Sequence, residues 1–331
     1  MSTPVKESSV QEEEYDDMKR HCHMTLVCSP SKLATTIKHL SDDHKAAIEG
    51  VRLAGLLHMK PLYLRRMMLI KIVKRYNIDT KKFVFGGNEL EISPYDVKCI
   101  MDLPVEGEDV KNRTRKPVDN TLFNSYKSNH KLELHTLEQN IRNSVVPDDD
   151  FKRQFVLFAI GTILAPTTKD YVDSKYLGVV ENVQDLSRLN WGQFTLNHLL
   201  ESIQMFTLKN QVNLQGNLAL LQFWFWEHVQ PHRRYGISYS SIPPPLMARW
   251  DEDSAKLRDT SFKDDQLDGG VVVMKIAVHT SQENNKSTPG NTARRNEEHK
   301  HGNDRHQQQS GGPIFSNQQV KTLHLGFGRY D

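Results

Sequence analysis

Metal and nucleophile chemistry would have to come from the histidines and cysteines. His21, Cys22, His23 and Cys28 crowd the start of the chain, and imidazole with thiolate is a ligand set for zinc. A structural zinc site needs two ligand pairs at regular spacing, and no second pair answers the first, so no metal is assigned. His228 and His232 stand one helical turn apart, but Pro231 between them breaks the helix that would align them. His299, His301 and His306 lie in a polar tail, where loose metal contact is the most they offer. Cys99 sits among apolar residues and reads as a small packing side chain rather than a nucleophile. No catalytic residue and no cofactor site is therefore expected.

Phosphate chemistry would need glycines or bases. The pair Gly86 and Gly87 could cradle a phosphate if a helix with Lys and Ser or Thr followed directly, but the strand-like "ELEI" intervenes. A DNA-reading helix over residues 94–102 would offer Lys98 and little else. The segment from Arg52 to Lys82 carries nine bases and one acid, Asp79. Within it Lys71, Lys74 and Arg75 share a side while Arg65 falls near the apolar face. These three are the candidate nucleic-acid contacts, against a plain reading as a solvated flank that offsets a helix dipole. The run "KNRTRKP" at 111–117 has the composition of a nuclear-import signal.

The elements that must position these residues are mostly helical. "PLYLRRMMLIKIVKRYNI" puts Leu62, Leu69, Ile72, Val73 and Tyr76 on one face, with Pro61 in a first turn and Lys74 and Arg75 in the last. "PDDDFKRQFVLFAIGTILAP" begins on acids, repeats Phe151, Phe155, Phe158 and Ile163 at helical spacing, and ends at Pro166. In "NWGQFTLNHLLESIQMF", Asn190 is expected to cap a helix with Gln193 reaching back. "NLALLQFWFWEHVQP" is apolar almost all round from Leu218 to Trp226, the signature of a centrally buried helix. "FVF" and "ELEI" about "GGN" predict a small β-hairpin. Ser93 as N-cap, Pro94 at the first helical position and Asp96 as reciprocal cap then start a helix that buries Val97, Ile100 and Met101 and ends before Pro104. No ligand is needed to explain that unit.

The chain of 331 residues has 43 Lys and Arg against 41 Asp and Glu, a net charge of +2, so no global field draws it to nucleic acid or to a membrane surface. Three cysteines at irregular spacing and no apolar leader after Met1 predict a reducing, intracellular setting. The longest apolar run, residues 155–165, is too short to span a bilayer, so no membrane partner is expected. With 37% hydrophobic residues the composition is lean for a fully folded chain. The expected organisation is a disordered acidic arm at 1–30, one helical domain at 31–245 and a largely disordered polar tail at 246–331. The stretch "DGGVVVMKIAV" at 268–278 reads either as a lone strand or as incidental sequence. The fold class is thus mainly α with a small β-hairpin, a single helical domain flanked by disordered arms.

The ordered blocks from "GLLHMKPLYLRRMMLIKIVKRYNIDTKKFVFGGNELEISPYDVKCIMDLPVEGEDV" through "FVLFAIGTILAPTTKDYV" and "LNWGQFTLNHLLESI" to "LQGNLALLQFWFWEHV" resemble the plant mobile domain, also labelled aminotransferase-like. The resemblance covers roughly residues 45–232. It implies a plant source, a mainly helical domain and a transposon-derived origin, in proteins that sometimes carry a Ulp1-type cysteine protease domain downstream. It brings no catalytic residues to these positions. No cysteine lies beyond Cys99 to build a downstream protease pair, and no lysine stands beside a phosphate loop to support the aminotransferase label. The expected role is a non-catalytic protein-interaction module with a protein partner in the nucleus. The alternatives are a nucleic-acid-binding adaptor that uses residues 52–82, or a remnant companion of a Ulp1-type protease.

Overall fold

A helix that is apolar on every side is stable when other elements wrap it completely. The computed structural model describes residue 26 and residues 28–115, 120–209, 213–232, 237–261 and 267–278, and in it every residue from Leu218 to His228 is buried. The described residues belong to a unit that runs to Glu283; a second unit, Asn284–Asp331, lies outside them, as do the acidic arm through residue 25 and most of the polar tail.

The shell is built in chain order. Helix α1 (Pro30–Lys38) starts on its proline and buries Leu33, Ala34 and Ile37. Ser41 caps α2 (Asp42–Gly50) by accepting from the His44 N–H, and Asp42 and Asp43 sit at the positive end of its dipole. A 3₁₀ turn at Ala54–His58 follows. The helix expected from Pro61 forms only as α3 (Arg66–Val73). The preceding backbone is committed elsewhere: the N–H groups of Leu62, Tyr63 and Arg65 donate to Ser31 Oγ, Glu252 Oε2 and Gln222 Oε1. The Leu62 carbonyl accepts from Ser31 Oγ. Tertiary partners thus replace the first helical turn, and Pro61 stands outside it.

At its other end α3 stops before Arg75, because Tyr76 enters a strand. Strands β1 (Tyr76–Asn77), β2 (Lys82–Phe85) and β3 (Asn88–Leu90) form an antiparallel sheet in that order. Gly86 and Gly87, at φ 53° and 78°, make the two-residue turn that a twisted hairpin favours. Phe83 stands opposite both Tyr76 and Leu90, and all three are buried. The expected hairpin therefore has a third strand, which the helical reading of residue 76 concealed.

Next come α4 (Pro94–Met101), α5 (Val110–Arg113), α6 (Asn120–Tyr126), β4 (Leu132–Glu133), α7 (Leu134–Asn143) and α8 (Asp149–Ala159). Asp148 caps α8 by accepting from the Phe151 N–H at 2.9 Å. This helix widens into a π turn at Ile160–Leu164, closed by the Ala165 N–H on the Ile160 carbonyl. Strand β5 (Tyr171–Val172) returns to pair with β4. After α9 (Leu177–Val180), helix α10 (Trp191–Lys209) is capped by Asn190, which accepts from the Gln193 N–H at 2.8 Å. The Gln193 side chain does not reach back: its amide donates to Asn197, one turn on.

The buried centre is α11 (Leu218–His228), continued as β6 (Val229–Gln230). It packs on α3 and α4, and α4 also packs on α10. Packing continues past residue 245, where a polar tail was expected. Leu246, Met247, Trp250 and Ala255 are buried, α12 (Glu252–Ser261) forms, and β7 (Val271–Val272) pairs antiparallel with β6. The stretch 268–278 is thus neither lone nor incidental.

Gly55 shows how closely these layers meet. A Cβ there would lie 1.8 Å from the Met101 carbonyl at the end of α4, whereas one at Gly50 would meet nothing within 4 Å. Gly55→Ala is expected to destabilise by about 1–3 kcal/mol, as overpacking does. Gly50→Ala should be neutral or stabilising by up to about 1 kcal/mol. Urea unfolding midpoints of the two variants check the contrast.

Candidate interaction groove

The start of α4 is fixed by its own residues. The Ser93 N–H donates to Asp96 Oδ2 at 2.8 Å, and the Asp96 N–H donates to Ser93 Oγ at 3.2 Å. Pro94 occupies the first helical position. The second carboxylate oxygen of Asp96 faces His228 Nε2 at 3.3 Å, and His228 Nδ1 faces the Val273 carbonyl at 2.6 Å. Both ring nitrogens therefore sit against oxygen acceptors. The end of the buried helix in this way joins α4 to residues 267–278.

Those residues form a strap across the sheet and α4. The Val273 N–H donates to the His228 carbonyl at 2.7 Å, and Val229 and Gln230 stand opposite Val272 and Val271. Asp268 accepts from the Arg75 guanidinium and from the Gly86 N–H. The Tyr95 hydroxyl donates to the Ile276 carbonyl at 3.3 Å, and Lys275 Nζ lies 5.2 Å from the centre of the Tyr95 ring. Leu267 and Ile276 are buried.

Between strap, β3 and α4 lies a groove of about 650 Å³, bordered by Lys82, Glu89, Glu91 and Lys275 with Leu90, Tyr95 and Met274 between them. Tyr95 is 40% exposed and Met274 61%. Lys82 pairs with Glu89 at 3.0 Å, so the rim carries two bases and two acids.

The polar cluster beneath the groove has the residue types of a hydrolytic triad but not its wiring. In such a triad the serine hydroxyl gives its proton to histidine, which the acid orients. Here Ser93 Oγ donates to Asp96 at 2.8 Å, and the His228 side chain is 3% exposed with both nitrogens engaged. The cluster ties elements together. Burial pushes the Cys99 thiol up and pushes Cys28 up to about 12. Both stay protonated near neutral pH, where a nucleophile or metal ligand must be a thiolate.

The structure also disperses the basic segment. Lys60 pairs with Asp251, Arg65 with Glu252 and Asp259, Arg75 with Asp268 and Lys82 with Glu89. Arg75 also lies over the Phe85 ring at 5.6 Å. Lys71 is half-buried and Lys74 exposed, and the Arg75 guanidinium pairs with Asp268 of the strap. His228 is buried while His232 is exposed beyond Pro231. His21, Cys22, His23, His299, His301, His306 and the end of the 111–117 run lie outside the described residues. Sequence reasoning passed over Tyr95 and Met274. The available signal was an aromatic directly after the Ser93–Pro94 cap and a methionine interrupting a run of valines.

Two expectations follow from these contacts. Ser93→Ala should cost about 1 kcal/mol through loss of the cap, read from urea midpoints. Hydrogen bonds from Arg75 and then Gly86 hold the Asp268 carboxyl below its usual 3.8. Its folded value lies below the unfolded one, so the contribution is present above about pH 4 and lost as pH falls through the folded value. Asp268→Asn should thus lower the thermal midpoint at pH 7, and the difference from the parent chain should shrink toward pH 3.

Residues 26–222 match the family described as a domain of unknown function, DUF8566. A serine/threonine-protein phosphatase 7 long form homolog of Arabidopsis thaliana is 25% identical over 227 residues, 60% of this chain and 17% of that protein. Protein MAIN-LIKE 2 of Arabidopsis thaliana is 26% identical over 206 residues, 55% of this chain and 30% of that protein. Protein MAINTENANCE OF MERISTEMS of Arabidopsis thaliana is 23% identical over 204 residues, 57% of this chain and 42% of that protein. The chain thus spans less than half the length of each of these relatives. No solved structure matches it significantly. The chain belongs to the DUF8566 family and, with these relatives, to the plant mobile domain proteins.

Proposed function

We propose that this plant mobile domain is a non-catalytic protein-interaction module whose groove between β3, the start of α4 and the 267–278 strap receives an extended segment of a partner protein. The observation that carries the reading is that two exposed apolar side chains, Tyr95 and Met274, border one groove whose polar residues Ser93 and Asp96 are already engaged, with each other and with the buried His228. Single exposed apolar residues are ordinary on a protein surface. A tyrosine and a methionine that border one groove are the residue types enriched where partners dock. The balanced rim of Lys82, Lys275, Glu89 and Glu91 suits register and selectivity more than long-range attraction. The transposon-derived character of the family and the basic run at 111–117 support a nuclear setting for such a module.

The test compares the full chain, a Tyr95→Ala/Met274→Ala variant and a Val145→Ala control as bait in plant nuclear extract, with bound proteins quantified by mass spectrometry. Val145 is 88% exposed and lies on the α7–α8 connection. A set of proteins held by the parent and the control, and reduced roughly tenfold or more by the groove variant, is expected if these two side chains are binding hot spots. Equal recovery by all three, or nothing above a bait of matched surface charge, would sink the reading.

A further inference from the structure

Away from the groove, β4, β5 and the turn before them carry a different surface. The chain reverses at Ser128–Lys131, where each residue's N–H donates to the other's carbonyl at 2.8 Å. Asn129 and His130 at the tip hold φ of 48° and 61°, the left-handed pair of a tight hairpin turn, here without glycine. The inner face of the ribbon, Leu132 opposite Val172, is buried. It sits directly on the π turn: a Cβ at Gly161 would lie 2.5 Å from Leu134 and 2.8 Å from Val172. Alternation along the strands turns Lys131, Glu133 and Tyr171 to the other face.

On that face Lys131 Nζ and Lys169 Nζ lie 4.8 Å and 5.1 Å from the centre of the same Tyr171 ring. Lys127, just ahead of the turn, has its Nζ 5.8 Å from the centre of the Phe123 ring on α6. The three lysines and His130 are exposed. Among the described residues none of the three ammonium groups has a carboxylate in ion-pair range, in contrast to the paired bases of residues 52–82. Of the neighbouring acids, Glu133 on the same face feels the charge of Lys131 from beyond ion-pair range. Glu133 accepts from Asn129 Nδ2 at 3.0 Å and so braces the turn, and Asp173 pairs with Lys175 at 3.7 Å. Asp170 is exposed beside Lys169 and leaves the cluster with more cations than anions.

We infer that this ribbon, with Lys127, Lys131 and Lys169 as its contacts, binds the phosphate backbone of a nucleic-acid duplex. The inference is independent of the groove and its partner. Exposed cations on a fixed surface are the means by which proteins hold a duplex without reading its sequence, and the buried inner face of the ribbon leaves its outer face to meet the phosphates. Stacking of single-stranded bases is the poorer fit, because the Tyr171 ring already carries two ammonium groups. A membrane surface is also a poorer fit, because the large exposed apolar residues are elsewhere, at positions such as Tyr63, Val145 and Leu208.

The experiment is fluorescence anisotropy of a labelled duplex of about 25 base pairs with the full chain, titrated from about 20 to 200 mM salt. Each phosphate contact contributes about −0.9 to the slope of log affinity against log salt. Lys127→Gln, Lys131→Gln and Lys169→Gln should therefore each flatten the slope by about 0.9, while Lys71→Gln and Lys74→Gln leave it unchanged. Lys→Arg at the three positions should restore it, and circular dichroism of every variant keeps loss of fold separate from loss of contact. No binding at the lowest salt, an unchanged slope in the triple Gln variant, or equal affinity for phosphatidylserine vesicles lost in the same variants would overturn the inference.

Discussion

The constraint on which the rest of the structure depends is that a fully buried helix must satisfy its side-chain amide, carboxylate and imidazole groups. Buried polar atoms without partners are costly. The indole N–H groups of Trp224 and Trp226 stay unpartnered, while each of the stronger groups on α11 draws in a neighbour. The Asn217 cap amide donates to Thr195 Oγ1 of α10 at 3.1 Å. Gln222 accepts from the Arg65 N–H at 2.7 Å and thereby holds the extended run ahead of α3. Glu227 accepts from Trp250 Nε1 at 2.8 Å and lies 3.4 Å from Arg249 Nε. Burial raises its carboxyl while Arg249 opposes that rise. His228 closes the series on Asp96 and Val273. The apolar residues of this helix supply the driving force, and its few polar ones decide which segments surround it.

The same economy governs charge. A run of nine bases reads as an electrostatic surface while the chain is viewed in one dimension. Folded, Arg65 and Arg75 meet acids from far along the sequence, and those pairs fasten the 246–278 region to the helical body. Exposed pairs of this kind contribute little stability each. Their larger effect is to tie Lys60, Arg65, Arg75 and Lys82 to particular acids.

What could be read from the sequence was whatever is decided within a few residues. The Ser93–Pro94–Asp96 cap, the Gly86–Gly87 turn, the largely apolar run from Leu218 to Trp226 and the acidic start of α8 each depend on neighbours three or four positions away. What could not be read depends on distant partners. Residues 61–65 carry a helical pattern and a suitable proline, yet Ser31, Gln222 and Glu252 take their backbone groups. Arg75 looked like part of a basic face until Asp268, 193 positions later, claimed it. The groove belonged entirely to this second class, since neither Tyr95 nor Met274 is informative without the other.

The strap gives the groove a history as well as a shape. Tyr95 and its acceptor at Ile276 are 181 residues apart, so the two sides are made at different times on the ribosome. Closing so long a loop is slow compared with forming a local hairpin or a capped helix. The sheet and α4 can thus be in place while Asp96 still lacks both His228 and the strand that lies beyond it. The groove is in this sense a late product of synthesis, and a nascent chain halted before residue 267 would leave α4 and β3 uncovered along that side.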